Sequence, residues 1–221
     1  MATRQLLAEL VALSGLDGAG IRIESVGGVD AARRVAAGEA FDLVVLASDA
    51  IDRLMQAGHL LPGSRVDLVV SGVSVAVPEG RPLPAIDTEE ALRQAVLAGG
   101  RIGFSTGPSG VALQRLFSRW GLDDALSGRL VQAPAGTPVA SLLARGDADL
   151  GFQQLSELLH APGIRIAGPM PPGACIDTVF SAAVGATCTE PGRQAAVRRF
   201  IDFMASPACD EAKRRQGMCP A

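Results

Sequence analysis

The chain has 221 residues, 48% of them hydrophobic and 19% charged, which is too apolar for a disordered polypeptide and too charged for an integral membrane protein. A net charge of −3 leaves no basic field for phosphate backbones or anionic lipid. Aromatic residues make up 4% and there is no tyrosine, which removes the stacking platforms of single-strand nucleic-acid binders. Neither nucleic acid nor direct membrane insertion is expected: no uncharged apolar run approaches the roughly 20 residues that span a bilayer.

Lys213 is the only lysine, so arginine supplies nearly all the positive charge, as guanidinium forks suited to carboxylates and oxyanions. Cys175, Cys188, Cys209 and Cys219 lie in the last fifth of the chain without a CxxC spacing. With His59 and His160 as the only histidines, they point to free thiols, with disulfides as the alternative; no metal and no cofactor is expected.

In chain order, Leu6, Leu7, Leu10, Val11 and Leu13 recur at helical spacing before Gly15 and predict a helix over 3–14. Ile21 to Val26 alternates at period two and predicts a strand ending at Gly27-Gly28. A helix follows over Val29 to Ala37, closed by Gly38, and Phe41 to Ala47 is an apolar run suited to a strand covered on both faces. Ser48-Asp49 is expected to cap a helix over Ala50 to Gln56. The same grammar returns later: a strand over Arg101 to Thr106, a helix over Val111 to Trp120, a strand over Arg129 to Ala133, a helix over Val139 to Ala144, and a strand from Asp149 into a helix over Leu155 to His160. Short connections between alternating strands and helices mean an α/β fold with parallel sheets.

Ala37-Gly-Glu-Ala-Phe-Asp-Leu and Arg145-Gly-Asp-Ala-Asp-Leu share a helix-stop glycine, an acid, an alanine and an Asp-Leu strand opening, so the chain reads as two similar lobes. Arg65 to Val77 and Thr178 to Val184 are the expected crossings, and a helix over Gly192 to Met204 is expected to return to the first lobe. The expected division is therefore 1–78 plus 172–221 for lobe one and 79–171 for lobe two, with a ligand cleft between them. Lobe two opens with a strand and lobe one with a helix, so the first strand of lobe one is expected to be missing, with the true start upstream. The N-terminus has no cationic region and Glu9 interrupts its apolar stretch, so as it stands the chain reads as cytoplasmic, and as periplasmic if an upstream leader has been removed.

Ligands of open α/β sheets lie beyond the C-terminal ends of the strands, where helix N-termini present N–H groups. The candidates there are Gly27 and Gly28, Ser48, Ser105, Thr106, Ser109, Gly110, Thr137, Gln153 and Gln154, with Arg4 or Arg22 as counter-charge. Ser105-Thr-Gly-Pro-Ser-Gly is the most informative: two hydroxyls and little bulk before an amphipathic helix suit a carboxylate or tetrahedral oxyanion, and an ordinary capped turn is the plain alternative. The segment lacks the lysine and spacing of a P-loop, and no GxGxxG is present. One of Gln153 and Gln154 is expected to face the cleft, because neighbours on a strand point oppositely.

Taken together, Ser105 to Gly110, Phe41-Asp-Leu-Val-Val-Leu-Ala-Ser, Gly151-Phe-Gln-Gln-Leu-Ser-Glu-Leu and Thr178-Val-Phe-Ser-Ala resemble the molybdate-binding-protein-like group of type II periplasmic solute-binding proteins, substrate-binding components of ABC transporters. The resemblance implies a two-lobed fold closing on a small anion, a transporter permease as partner, and ligand loops at Ser48, Thr106 to Gly110, Thr137 and Gln153-Gln154. The absence of tyrosine departs from true molybdate binders and puts a small organic carboxylate on an equal footing with molybdate. The same group resembles a bacterial aconitate isomerase, so an isomerase of a small tricarboxylate is the alternative, its catalytic residues unassigned.

Overall fold

The computed structural model describes residues 2–15 and 20–221. It divides into two compact units, 1–71 with 178–221 and 72–177. The first unit holds helices α1 (Arg4–Leu13), α2 (Gly28–Ala36) and α3 (Ser48–Gln56), strand β1 (Leu43–Ala47), and the C-terminal helices α8 (Pro191–Ala205) and α9 (Asp210–Arg215) with strand β8 (Met218–Pro220). The second holds α4 (Glu89–Ala98), β3 (Ile102–Phe104), α5 (Pro108–Arg119), β4 (Leu130–Gln132), α6 (Val139–Ala144), β5 (Leu150–Gln154), α7 (Leu155–Leu158) and β6 (Ile164–Pro169). Strand β2 (Val66–Pro78) runs through the boundary, and β7 (Asp177–Val184) begins at it.

The fold is α/β, as expected, and the parallel pairs lie in the second unit, where β3 pairs in parallel with both β4 and β5. There β2 adds antiparallel contacts, Val73 to Ala76 against β5 and Ser74 to Pro78 against β6. In the first unit two ladders run antiparallel, Leu43 to Ala47 of β1 against Phe180 to Val184 of β7 and Val69 to Ser71 of β2 against β8.

Glycine sets several of these elements. Gly38 (φ 84°) and Gly146 (φ 73°) both take the left-handed conformation just past α2 and α6. The next N–H in each case, of Glu39 or Asp147, returns to a carbonyl five residues back, on Arg34 or Leu142. The shared punctuation seen in the sequence is thus one repeated helix-to-strand joint. Gly103 and Gly151, opposite each other in the β3–β5 ladder, leave room for α6: a Cβ on Gly151 would stand 2.7 Å from the Leu143 side chain and one on Gly103 would stand 3.0 Å from Val139.

Each unit has its own apolar core. In the second, Phe117 meets Phe152 edge-on at 5.8 Å and Trp120 at 5.9 Å, amid Leu92, Val96, Leu113 and Leu116. In the first, Leu6 and Leu10 of α1 pack with Leu68, Val69, Ile201, Met204 and Met218. Lys213 is also enclosed there, 1% exposed and 3.4 Å from Asp210. All four cysteines are free thiols, Cys188 and Cys209 buried and Cys175 and Cys219 exposed.

The strand expected over Ile21 to Val26 does not form. The stretch is irregular, with Ile21 39% and Ile23 40% exposed, because alternation favours a strand only where one face is packed against a core. Ser48 is likewise not a cap: Ala47 holds the N-cap position of α3 and no side chain bonds there. Helix α4 was not foreseen, although Thr88 caps it by accepting from the Ala91 N–H at 3.1 Å and Glu89 and Glu90 fill its first turn. Among the described residues no helix is long and apolar enough to cross a membrane.

Candidate functional site

Parallel pairing fixes the geometry of the second unit's strand ends. Phe104 stands opposite both Gln132 and Phe152, so Ser105 and Ala133 leave the sheet at one edge beside Gln153, which stays in β5 opposite Ser74 of β2. Three of the expected loops therefore meet along it: Ser105 to Gly110, Pro134 to Thr137, and Gln153-Gln154. The first is held very tightly. A Cβ on Gly110 would stand 1.9 Å from the Ser105 carbonyl oxygen, so only glycine lets the first turn of α5 lie against the end of β3.

The Ser105 and Ser109 hydroxyls are 3.2 Å apart, Ser109 9% exposed and Ser105 half-buried, while Thr106 is exposed. The loop offers fewer free donors than its sequence suggests, because Pro108 has no N–H and the Gly110 N–H donates to the Gly107 carbonyl at 3.0 Å. Thr137 is half-buried and its N–H donates to the Pro134 carbonyl at 2.9 Å.

One of the two glutamines at the end of β5 is expected to face a cleft; both are buried. Strand β5 is covered on both faces, so alternation carries neither side chain to solvent. Gln153, 2% exposed, has both ends of its amide engaged: Oε1 accepts from the Val139 N–H at the start of α6, 2.8 Å away, and Nε2 donates to Glu157 Oε2. Its amide thus bridges the start of α6 and the α7 turn.

Glu157 is the residue that the sequence reading missed. It lies one turn beyond Gln153 and is half-buried, and burial pushes its carboxyl above the usual carboxylate range while a positive charge and, less strongly, the Gln153 amide pull it back. Beside it the Ser156 hydroxyl is buried without a hydrogen-bond partner. The visible signal was a Gln-x-x-x-Glu spacing across a strand-to-helix turn, which reaches one edge only once the strand is known to be central.

The first unit's candidates have a different electrostatic setting. Gly27 and Gly28 begin α2, whose first turn contains Asp30, and Ser48 begins α3, whose first turn contains Asp49, paired with Arg53 at 2.9 Å. A carboxylate at a helix N-terminus occupies the field that would otherwise favour a bound anion. The first turns of α5 and α6 contain no acid. Arg4 is exposed on α1, and Arg22 pairs with Glu24 at 2.8 Å. His59 lines a cavity of about 50 Å³ with Val35, Phe41 and Val44, room for water but not for an organic anion, and His160 is exposed. Among the described residues no group of three or more His, Cys, Asp or Glu could hold a metal ion.

Residues 2–219 match the family described as bacterial extracellular solute-binding protein. The chain belongs to that family. An aconitate isomerase from a Pseudomonas species is 37% identical over 188 residues, which is 85% of this chain and 70% of that protein. The periplasmic molybdate-binding protein of Azotobacter vinelandii superposes with a TM-score of 0.79 at 22% identity, covering 98% of this chain and 95% of that one. The substrate-binding domain of a putative molybdenum ABC transporter from Clostridium difficile gives 0.74 at 14% identity, covering 100% and 95%. At these identities the two structures establish the fold, which is that of ABC-transporter substrate-binding proteins.

Proposed function

We propose that this family member binds a small anion, either a tetrahedral oxyanion or a small organic carboxylate, and acts in the periplasm as the substrate-binding component of an ABC transporter, with the permease as its protein partner. The observation that carries the reading is the second unit's strand-end edge, where two paired hydroxyls and two helix N-termini free of acidic residues come together. The loops of the first unit, Ser48 and Gly27-Gly28 with Arg4, belong to the proposal as secondary contacts, since Asp30 and Asp49 weaken their pull on an anion. The folds of the molybdate-binding relatives support the reading.

Thermal-shift titration with molybdate, tungstate, sulfate, citrate and the two aconitates tests it. A ligand present at 100 times its Kd is expected to stabilise the fold by about 2.7 kcal/mol. Ser105→Ala with Ser109→Ala is expected to weaken that ligand tenfold or more with little loss of stability in its absence. If none of the six anions stabilises the protein, the anion reading fails.

A second reading is favoured by the 37% identity to an aconitate isomerase: the same edge moves an allylic proton on an unsaturated tricarboxylate. That chemistry needs donors for carboxylates and one group that accepts and returns a proton.

A further inference from the structure

We infer that Glu157 is the proton-carrying group of that edge and that Gln153 is its positioning residue, an assignment that rests on the isomerase reading. Glu157 emerges from the end of β5, on the same edge as the Ser105–Ser109 hydroxyl pair, and it is the carboxylate that the α7 turn sets there. Its Oε2 is fixed by an amide that cannot itself rotate away, because the other end of that amide accepts from the first N–H of α6. The neighbouring Ser156 hydroxyl is buried with no hydrogen-bond partner. Glu157 has the Gln153 amide as its side-chain hydrogen-bond partner.

Partial enclosure makes a carboxylate a better base, which is what abstraction of a carbon-bound proton requires. In the step, the Glu157 carboxylate removes a proton from the methylene carbon flanked by a carboxylate and the alkene. The C–H electron pair enters the allylic system, the double bond shifts by one position, and the Glu157 carboxyl returns the proton to the former vinylic carbon. Nothing is oxidised or reduced, and the carboxylate is regenerated. The Ser105 and Ser109 hydroxyls donate to the substrate carboxylate on which negative charge accumulates.

The test incubates the protein with cis- or trans-aconitate in D2O and follows isomer ratio and methylene deuteration by proton NMR, for wild type, Glu157→Gln, Glu157→Asp and Gln153→Ala. The expected result is interconversion with deuterium wash-in by the wild type and a loss of about 100-fold to 10,000-fold in Glu157→Gln. Aconitate should still raise the melting temperature of that variant as it does for wild type, and Glu157→Asp should recover part of the rate. Gln153→Ala should shift the acid limb of the pH–rate profile upward, because the bond it removes lowers the pKa of Glu157, whereas a purely structural role would lower the rate without moving the limb. Wild-type conversion with Glu157→Gln within threefold of it overturns the assignment and leaves the isomerase reading standing. Aconitate binding by wild type with neither conversion nor deuteration overturns both and leaves the binding reading intact.

Discussion

The two units use the same helix-to-strand joint and complete it differently. In the second, the strand after Gly146 lies between β2 and β3, and β4 is held by its parallel pairing with β3. In the first, the strand after Gly38 pairs with β7 along one edge. The stretch corresponding to β4, Ile21 to Val26, has the alternation of a strand but is irregular, with Ile21 and Ile23 exposed. The difference teaches that alternation specifies which face a strand would bury, while the burial of that face decides whether the strand exists. It also bears on function, since the unit with the complete parallel set is the one whose helix N-termini converge without acidic neighbours.

The sharpest way to break the comparison is at the glycines that press on carbonyls. Gly110→Ala in the second unit would put a methyl group 1.9 Å from the Ser105 oxygen, and Gly185→Ala in the first would put one 1.8 Å from the Phe41 oxygen. Each is expected to cost about 3 kcal/mol or more, read by urea denaturation. A loss below 1 kcal/mol at Gly110 would show that the Ser105 loop is not rigidly seated.

A smaller effect is expected at Glu157. Its carboxyl has a raised native pKa because it is buried, so its contribution to stability is fully present below its ordinary value of 4.5 and is lost as pH rises through the native value. Glu157→Gln cannot ionise and escapes that loss. The variant should therefore melt above wild type at pH 7, with the gap closing below about pH 4.5. Equal melting temperatures at pH 7 would mean that the carboxylate is well solvated.

The smallest effect belongs to the irregular stretch over 21–26. Ile21→Ser with Ile23→Ser is expected to change stability by no more than about 0.5 kcal/mol, the range of ordinary surface substitutions. Val131→Ser, at the half-buried centre of β4, should cost more. Equal costs at the two places would show that Ile21 and Ile23 are packed in solution.

The sequence made most of the second unit legible, because Gly, Pro and apolar runs punctuate it at each element: α6 falls on 139–144 as expected, and β5 begins one residue after its expected start. The site loop was legible for the same reason, since Ser105 to Gly110 combines hydroxyls with a glycine that no other residue can replace. The direction of the Gln153 and Gln154 side chains was not, because it depends on β5 being flanked by β2 and β3, a long-range fact. Glu157 escaped notice for a related reason: a glutamate in the first turn of a short helix reads as a solvated charge until its enclosure is known. Strand β8 was equally hidden, three residues whose only strand signal is their pairing with Val69 to Ser71.

The buried Lys213 has a practical consequence. With the one ε-amino group of the sequence shut inside the core against Asp210, amine-reactive esters find no exposed lysine on the folded chain, and dyes or biotin reach its surface through the exposed thiols of Cys175 and Cys219 instead.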